Sequence, residues 1–283
     1  MINGFLLLCL MLVGCLPLAP SPPLRGELHG ELYWSGEVRL AGDVVVSEDA
    51  FLTIAPGTIV RFVADSSDLL QDHPNFPGSE LIVRGRISAV GSPAAPIIFR
   101  ADDELALPGA WGAVNIEGSS AALFRYCVFR QADSAIHSRD ARLSVEQSLF
   151  ENNRVGIRFN NSRIHIVNNL LRNNQSAIRF HLGAPVIHNN RFAGNRINLF
   201  VTSHPQDYRI EANHFGPARE YQVVLGEEVP EDIHLAKNYW EDVESGQFDS
   251  LFYDGQRSDY LGRVLVDPVM VDPPADAGLQ WNP

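Results

Sequence analysis

Three cationic or imidazole side chains recur at a fixed step: His137, Arg158 and Arg179 stand 21 residues apart. A second row at the same step reads Asp133, Arg154, Gln175 and Arg196. If one step is one turn of a stacked chain, neighbouring guanidinium groups lie about 5 Å apart. A row so spaced could grip the carboxylates or sulfates of an anionic polymer. The competing reading is a solvated strand face whose charge discourages edge-to-edge aggregation. His165, Arg209 and His234 belong to a further strand.

Other chemistry finds less support. General acid and base work on a glycosidic bond needs two carboxylates facing one space. Asp133 and Asp140 belong to one repeat, and no neighbouring repeat adds a partner. The remaining acids gather in two loops, with Asp65, Asp68, Asp72 and Glu80 in one. The other holds Glu241, Asp242, Glu244, Asp249, Asp254 and Asp259. Neither spacing fits a Ca²⁺ loop. The nine histidines are scattered, without a His-x-x-x-His or Cys-x-x-Cys pair, so no metal and no cofactor is expected. Cys127 has no identifiable base and reads as a buried corner thiol.

These rows depend on a repeat. Its anchor is an apolar residue preceded at minus two by a small polar one: Phe150 after Ser148, Leu171 after Asn169, Phe192 after Asn190, Phe215 after Asn213, Trp240 after Asn238. Phe129, after Cys127, opens the series, and the steps are 21, 21, 21, 23 and 25 residues. A period near 21 marks a solenoid whose turns bury their inner faces against their neighbours. Three short strands fit into each turn. Their inward positions should stack as Ile136, Ile157, Ile178 and Leu199, as Val145, Ile166, Ile187, Ile210 and Leu235, and as the anchors themselves. Ser148, Asn169, Asn190, Asn213 and Asn238 should form a hydrogen-bonded ladder at one corner. Asn152-Asn153, Asn173-Asn174 and Gly194-Asn195 mark a second corner whose asparagines suit left-handed turns.

Upstream, residues 38–62 alternate apolar and polar positions between Gly, Asp and Pro-Gly turns. Residues 64–80 interrupt that rhythm as a loop inserted at a corner. The run Leu52-Thr53-Ile54-Ala55-Pro56-Gly57-Thr58, then Leu81-Ile82-Val83-Arg84-Gly85, then Pro96-Ile97-Ile98-Phe99, resembles the opening of bacterial right-handed parallel β-helix proteins of the pectin-lyase-like class. The asparagine-preceded anchors and the ending, with Asn238-Tyr239-Trp240, Tyr253-Asp254-Gly255 and Asp267-Pro268, are similar to that class too. The resemblance implies an all-β, single-stranded right-handed parallel β-helix of about eight coils, a rod on the order of 40 Å long. It implies little about activity, because the fold hosts lyases, hydrolases, adhesins and inert scaffolds. The Gly-His-Gly, Arg-Ile-Lys and Asn-Thr-Asp signatures of the hydrolases in this class are missing.

The beginning of the chain carries an apolar run, Phe5 to Leu12, followed by Leu12-Val13-Gly14-Cys15, which resembles a bacterial lipobox. That resemblance implies cleavage before Cys15 and its lipidation, with Leu16 rather than Asp favouring the outer membrane. Four prolines between Leu16 and Pro23 make a semi-rigid tether. The expected organisation is a signal peptide at 1–14, lipidated Cys and tether at 15–34, β-helix at 35–240 and an irregular tail at 241–283 packing on the rod's end.

Net charge is −12, which argues against nucleic acid as a partner. The charge is uneven: residues 121–215 hold 12 Arg against 6 Asp plus Glu, while the remainder sums to −18. The function expected is a lipid-anchored envelope protein acting as a non-catalytic scaffold or binding surface. Its partners are the membrane and a polysaccharide or another envelope protein. The alternative is a carbohydrate-active enzyme or anionic-glycan binder using the Arg and His face.

Overall fold

The computed structural model describes residues 22–64, 76–118, 121–241, 243 and 248–283. The leader with Cys15, the acids Asp65, Asp68 and Asp72, and Asp242 and Glu244 lie outside the described residues. Among the described residues no helix is long and apolar enough to cross a membrane.

The described residues build a parallel β-solenoid of triangular section. One face is an eight-stranded sheet running from Glu31–Trp34 through Arg142–Glu146 and Arg163–Val167 to Arg209–Glu211. The other two belong to one eighteen-stranded sheet. We call them the anchor face, with Cys127–Arg130, Leu149–Glu151 and Leu170–Arg172, and the broad face, with Ala132–Arg139, Val155–Asn160 and Ser176–His181.

Left-handed residues set the corners. Tyr126, Gln147, Asn168, Asn189, Ala212 and Lys237, with φ between 48° and 58°, each stand immediately before the small polar residue that precedes an anchor. Gln131, Asn152, Asn173 and Gly194 turn the second corner, and Asp140, Asn161 and Leu182 the third. Left-handed backbone at a side-chain-bearing residue costs on the order of 1 kcal/mol, which Asn tolerates best. Its regular recurrence means that the stacked faces compensate for it.

The inward columns lie in register. On the broad face nine residues stack: Val44, Leu81, Val114, Ile136, Ile157, Ile178, Leu199, Val223 and Phe252. The rod therefore has about nine turns rather than eight. On the anchor face Phe99, Phe129 and Phe150 stack at 4.6 and 4.7 Å between ring centroids, and Phe192, Phe215 and Trp240 at 4.7 and 4.3 Å. On the eight-stranded face Val145, Ile166, Ile187 and Ile210 follow one another. Leu235 is buried as expected, but its neighbouring strand Ile233–His234 pairs with Val264–Leu265 instead of continuing that sheet. The longer steps of 23 and 25 residues displace it.

Two boundaries move. Strands begin at Leu24–Leu28 and Glu31–Trp34, inside the stretch assigned to the tether, because the alternation there is too short and polar to read. The tail does not merely cap the end. Phe252–Tyr253 adds a rung to the broad face. From residue 268 the chain then runs back along the first corner, against the direction of the rod. Pro268 O accepts from Lys237 N, Met270 N donates to Asn238 O and Gly278 N to Asn189 O. Asp276 O accepts from Asn168, Gln280 N donates to Gln147 Oε1, and Trp281 Nε1 donates to Gln147 O at 2.7 Å. The Trp281 ring meets Tyr126 edge-on at 5.9 Å. This strap docks on the left-handed corner residues in turn. Val128 and Leu149 sit on outward positions of the anchor face, yet are 3% and 0% exposed.

Candidate functional site

Parallel register puts His137, Arg158 and Arg179 side by side on the outward broad face, with Asn115 before them and Phe200 after. The row is not an open solvated surface. Phe76, at the end of the inserted loop, lies over it: its ring meets His137 edge-on at 5.1 Å, and the Arg158 guanidinium stacks on it at 4.9 Å. Arg179 stacks on Phe200 at 4.6 Å. A cleft of about 260 Å³ opens here, lined by His137, Arg158, Asn160, Arg179, His181 and Thr202.

His137 is not a cation in this site. Burial, then the nearby Arg158 and Arg139, push its pKa down to about 3, so the ring is neutral at pH 7. Its tautomer follows from a chain of partners. Buried Glu80 accepts from Phe76 N at 2.8 Å and from Asn115 Nδ2 at 2.6 Å. Asn115 Oδ1 is thus the acceptor facing His137 Nδ1 at 2.6 Å, so Nδ1 carries the proton and Nε2 is left as an acceptor. A contributor to an anion grip was expected here; a fixed, uncharged hydrogen-bonding ring is found.

The cationic part of the cleft is Arg158 with Arg179. Burial and the neighbouring Arg179 lower the Arg158 pKa to about 10, which still leaves it charged at pH 7. Neither guanidinium joins an ion pair among the described residues, and the buried Arg158 Nε has no hydrogen-bond partner. An unmet buried charged donor costs on the order of 1–3 kcal/mol. Arg154 and Arg196 are different. Arg154 donates to Asp133 Oδ2 at 2.7 Å and Arg196 to Glu220 Oε2 at 2.5 Å, so the second row is neutralised from within. The anchor face behaves alike, with Glu151 between Arg130 and Arg172 at 2.6 Å each.

The ladder residues lie at the first corner, all buried. Ser148 N donates to Asn169 Oδ1, Asn169 N to Asn190 Oδ1, Asn190 N to Asn213 Oδ1 and Asn213 N to Asn238 Oδ1, all between 2.9 and 3.0 Å. Each asparagine Nδ2 donates to a backbone carbonyl of the preceding turn, as Asn169 does to Val145 O at 2.9 Å. Cys127 N heads the series, donating to Ser148 Oγ; burial drives the Cys127 thiol well above its ordinary pKa and leaves it unreactive. A second ladder was missed. Asn153, Asn174 and Asn195 bond one another in the same way, and Asn195 continues to Asn198 and Gln222. The adjoining asparagine at 152 and 173 masked the distinction between the turn residue and the bonding one.

Residues 110–228 match the family model described as right handed beta helix region. Over these residues the chain carries a β-helix region, and its fold is a parallel β-helix. No curated protein matches it, and no solved structure matches it. The matched part of the β-helix holds the cleft row and most of both ladders. The outward side of its eight-stranded face carries a further set of cations that sequence reasoning passed over. Arg86, Arg142 and Arg163 occupy one outward row, and none of their side chains joins a hydrogen bond or ion pair among the described residues. The identical 21-residue step from Arg142 to Arg163 was the available signal. No group of three or more His, Cys, Asp or Glu able to hold a metal occurs among the described residues.

Proposed function

We propose that this β-helix is a non-catalytic binding scaffold whose broad-face cleft receives a carboxylate or sulfate of an acidic polysaccharide. The observation that carries this reading is the pair Arg158 and Arg179, adjacent and without an ion pair among the described residues, with Arg158 desolvated and its buried Nε donor unmet. Two like charges in such a place repel each other, and an anion between them relieves the repulsion while accepting the free N–H. The neutral His137, with Nε2 as acceptor, supports a hydroxyl contact beside the anion. The chemistry favours recognition over turnover, because among the described residues no carboxylate lines the cleft.

The test is binding to a panel of acidic and neutral polysaccharides, with lyase-type ultraviolet absorbance followed in parallel. Binding confined to the acidic members is expected, and Arg158→Ala with Arg179→Ala should weaken it by roughly 10- to 100-fold. Turnover of any polymer, or unchanged affinity in the double variant, refutes the reading.

We also infer attachment through a lipid at Cys15, in a bacterial envelope and at the outer membrane. Leu12-Val13-Gly14-Cys15 and the proline-rich stretch behind it support this. Cys15→Ala should move the protein from the membrane to the soluble fraction, and unchanged membrane retention refutes lipidation at that residue.

A further inference from the structure

The eight-stranded face combines cations and apolar groups in a way that the cleft does not. Its first outward row runs Glu31, Phe51, Arg86, Ala121, Arg142, Arg163 and Ala184. Arg86 stacks on Phe51 at 4.6 Å, and Arg86, Arg142 and Arg163 are all exposed. The adjoining outward row includes Tyr33, Leu123, Ser144 and His165. Tyr33 is 70% exposed. Between the two rows lies an open groove of about 540 Å³ whose lining includes Phe51, Leu123 and all three arginines, and no carboxylate. The nearest acids on these rows are Glu31 and Asp207, at opposite ends.

In a chain of net charge −12 these two rows are locally basic; the next outward row carries Glu146, which accepts from Ser144 at 2.7 Å and pairs with Arg125. Several arginines elsewhere are balanced in place, as Arg154, Arg196, Arg130 and Arg172 are. Here no ion pair holds Arg86, Arg142 or Arg163 among the described residues, and they lie beside the exposed Tyr33 and the half-buried Phe51 and Leu123. Arginine with aromatic side chains on a flat surface suits the boundary between lipid headgroups and acyl chains. The plane is long, because eight strands at about 4.8 Å give a face on the order of 35–40 Å. It can therefore meet several headgroups at once. Ala121, between Arg86 and Arg142, leaves a notch two turns wide, about 10 Å, in which one phosphate could be shared by both guanidiniums. The chain enters this sheet through Glu31–Trp34, its first strand, shortly after the proline-rich stretch. The strand before it, Leu24–Leu28, belongs to the eighteen-stranded sheet, so Glu31–Trp34 is the second strand after Cys15.

We propose that the eight-stranded face is a docking surface for an anionic lipid bilayer, with Arg86, Arg142 and Arg163 contacting headgroup phosphates and Tyr33, Phe51 and Leu123 resting at the interface. The proposal builds on the reading of this chain as membrane-attached, and adds an orientation: the rod lies flat, with the broad-face cleft turned to one side.

The test uses residues 22–283, which hold every strand described and lack Cys15, so its failure leaves lipidation standing. The protein is sedimented with vesicles of phosphatidylcholine, with and without phosphatidylglycerol. Partition onto the phosphatidylglycerol vesicles alone is expected, falling as salt is raised. The variant Arg86→Ser, Arg142→Ser, Arg163→Ser should lose on the order of 100-fold in partition, about fivefold for each arginine. Leu123→Ser should weaken it further without altering its salt dependence. The thermal midpoint of each variant checks that the rod is intact. Equal partition onto both vesicles, no partition, or full partition by the folded triple variant overturns the proposal. So does binding of a soluble acidic polysaccharide through these three arginines with no preference for charged vesicles.

Discussion

Asn190 donates to Ile166 O at 2.7 Å and to Asn213 Oδ1 at 3.0 Å, while its own Oδ1 accepts from Asn169 N. Removing that side chain strands several buried groups together. Asn190→Ala should destabilise the protein by roughly 2–4 kcal/mol, read as a lower thermal midpoint. A loss below about 1 kcal/mol would mean that water or a shifted neighbour replaces the amide. His137 makes a second prediction. Its folded pKa lies at about 3, against 6.5 for the free side chain. Below pH 6.5 the unfolded chain takes up a proton that the folded chain refuses. Stability present above pH 6.5 should therefore be lost on acidification at up to about 1.4 kcal/mol per pH unit. His137→Gln should flatten the dependence between pH 6.5 and 4. An imidazole resonance of His137 titrating near pH 6 would refute the buried neutral form.

At the scale of elements, the strap is the least periodic part of the chain and reaches the farthest. It spans from Lys237 back to Tyr126, and Trp281 ends it. Removing residues 268–283 should strip the corner at Tyr126, Gln147 and Asn168 of its partners, lower the thermal midpoint and promote self-association, visible in light scattering. A monodisperse truncated protein of unchanged midpoint would contradict this. The strap also marks what could be read beforehand. The 21-residue step fixes strand register, and register fixes which side chains face inward, so the columns through Ile136, Val145 and Phe129 were legible. Asn169 and Asn190 were legible because they repeat. Trp281 on Gln147 and Phe76 on His137 were not, since each is a single contact between segments with no common period. Ion pairing was lost for a related reason. Arg154 and Asp133 shared a row in the sequence, but only side-chain geometry separates them from the free Arg158 and Arg179. Arg142 and Arg163 were legible in principle and were passed over for the more conspicuous histidine row.

For the whole molecule, the repeat makes turns interchangeable. Leu149 and Leu170 occupy the same position one turn apart, as do Ser148 and Asn169. Deleting residues 149–169 joins Ser148 to Leu170 and should leave a shorter rod with the same far-ultraviolet circular dichroism per residue. The remaining strand interfaces are of the same kind, while the strap loses Asn168 and must shift by one turn along the corner. Deleting residues 149–167 leaves two surplus residues, Asn168 and Asn169, at the first corner, where the native turns carry none, and should lower the thermal midpoint well below that of the 149–169 deletion. Equal behaviour of the two deletions would show that the corners do not set the register. The longer rod matters for binding as well, since the broad-face cleft and the eight-stranded face both draw their cations from successive turns.

The ladder also has a direction. The buried N–H at Ser148 finds its acceptor in Asn169, and that at Asn169 in Asn190, so each turn is completed by residues made after it. A chain emerging from its amino end always carries one unfinished turn at its growing edge. Every further stretch of about 21 residues seals the one before it. Assembly in this molecule therefore runs in the order of synthesis. The strap arrives last and closes over the corners already formed, so an unfinished chain is also an unlatched one.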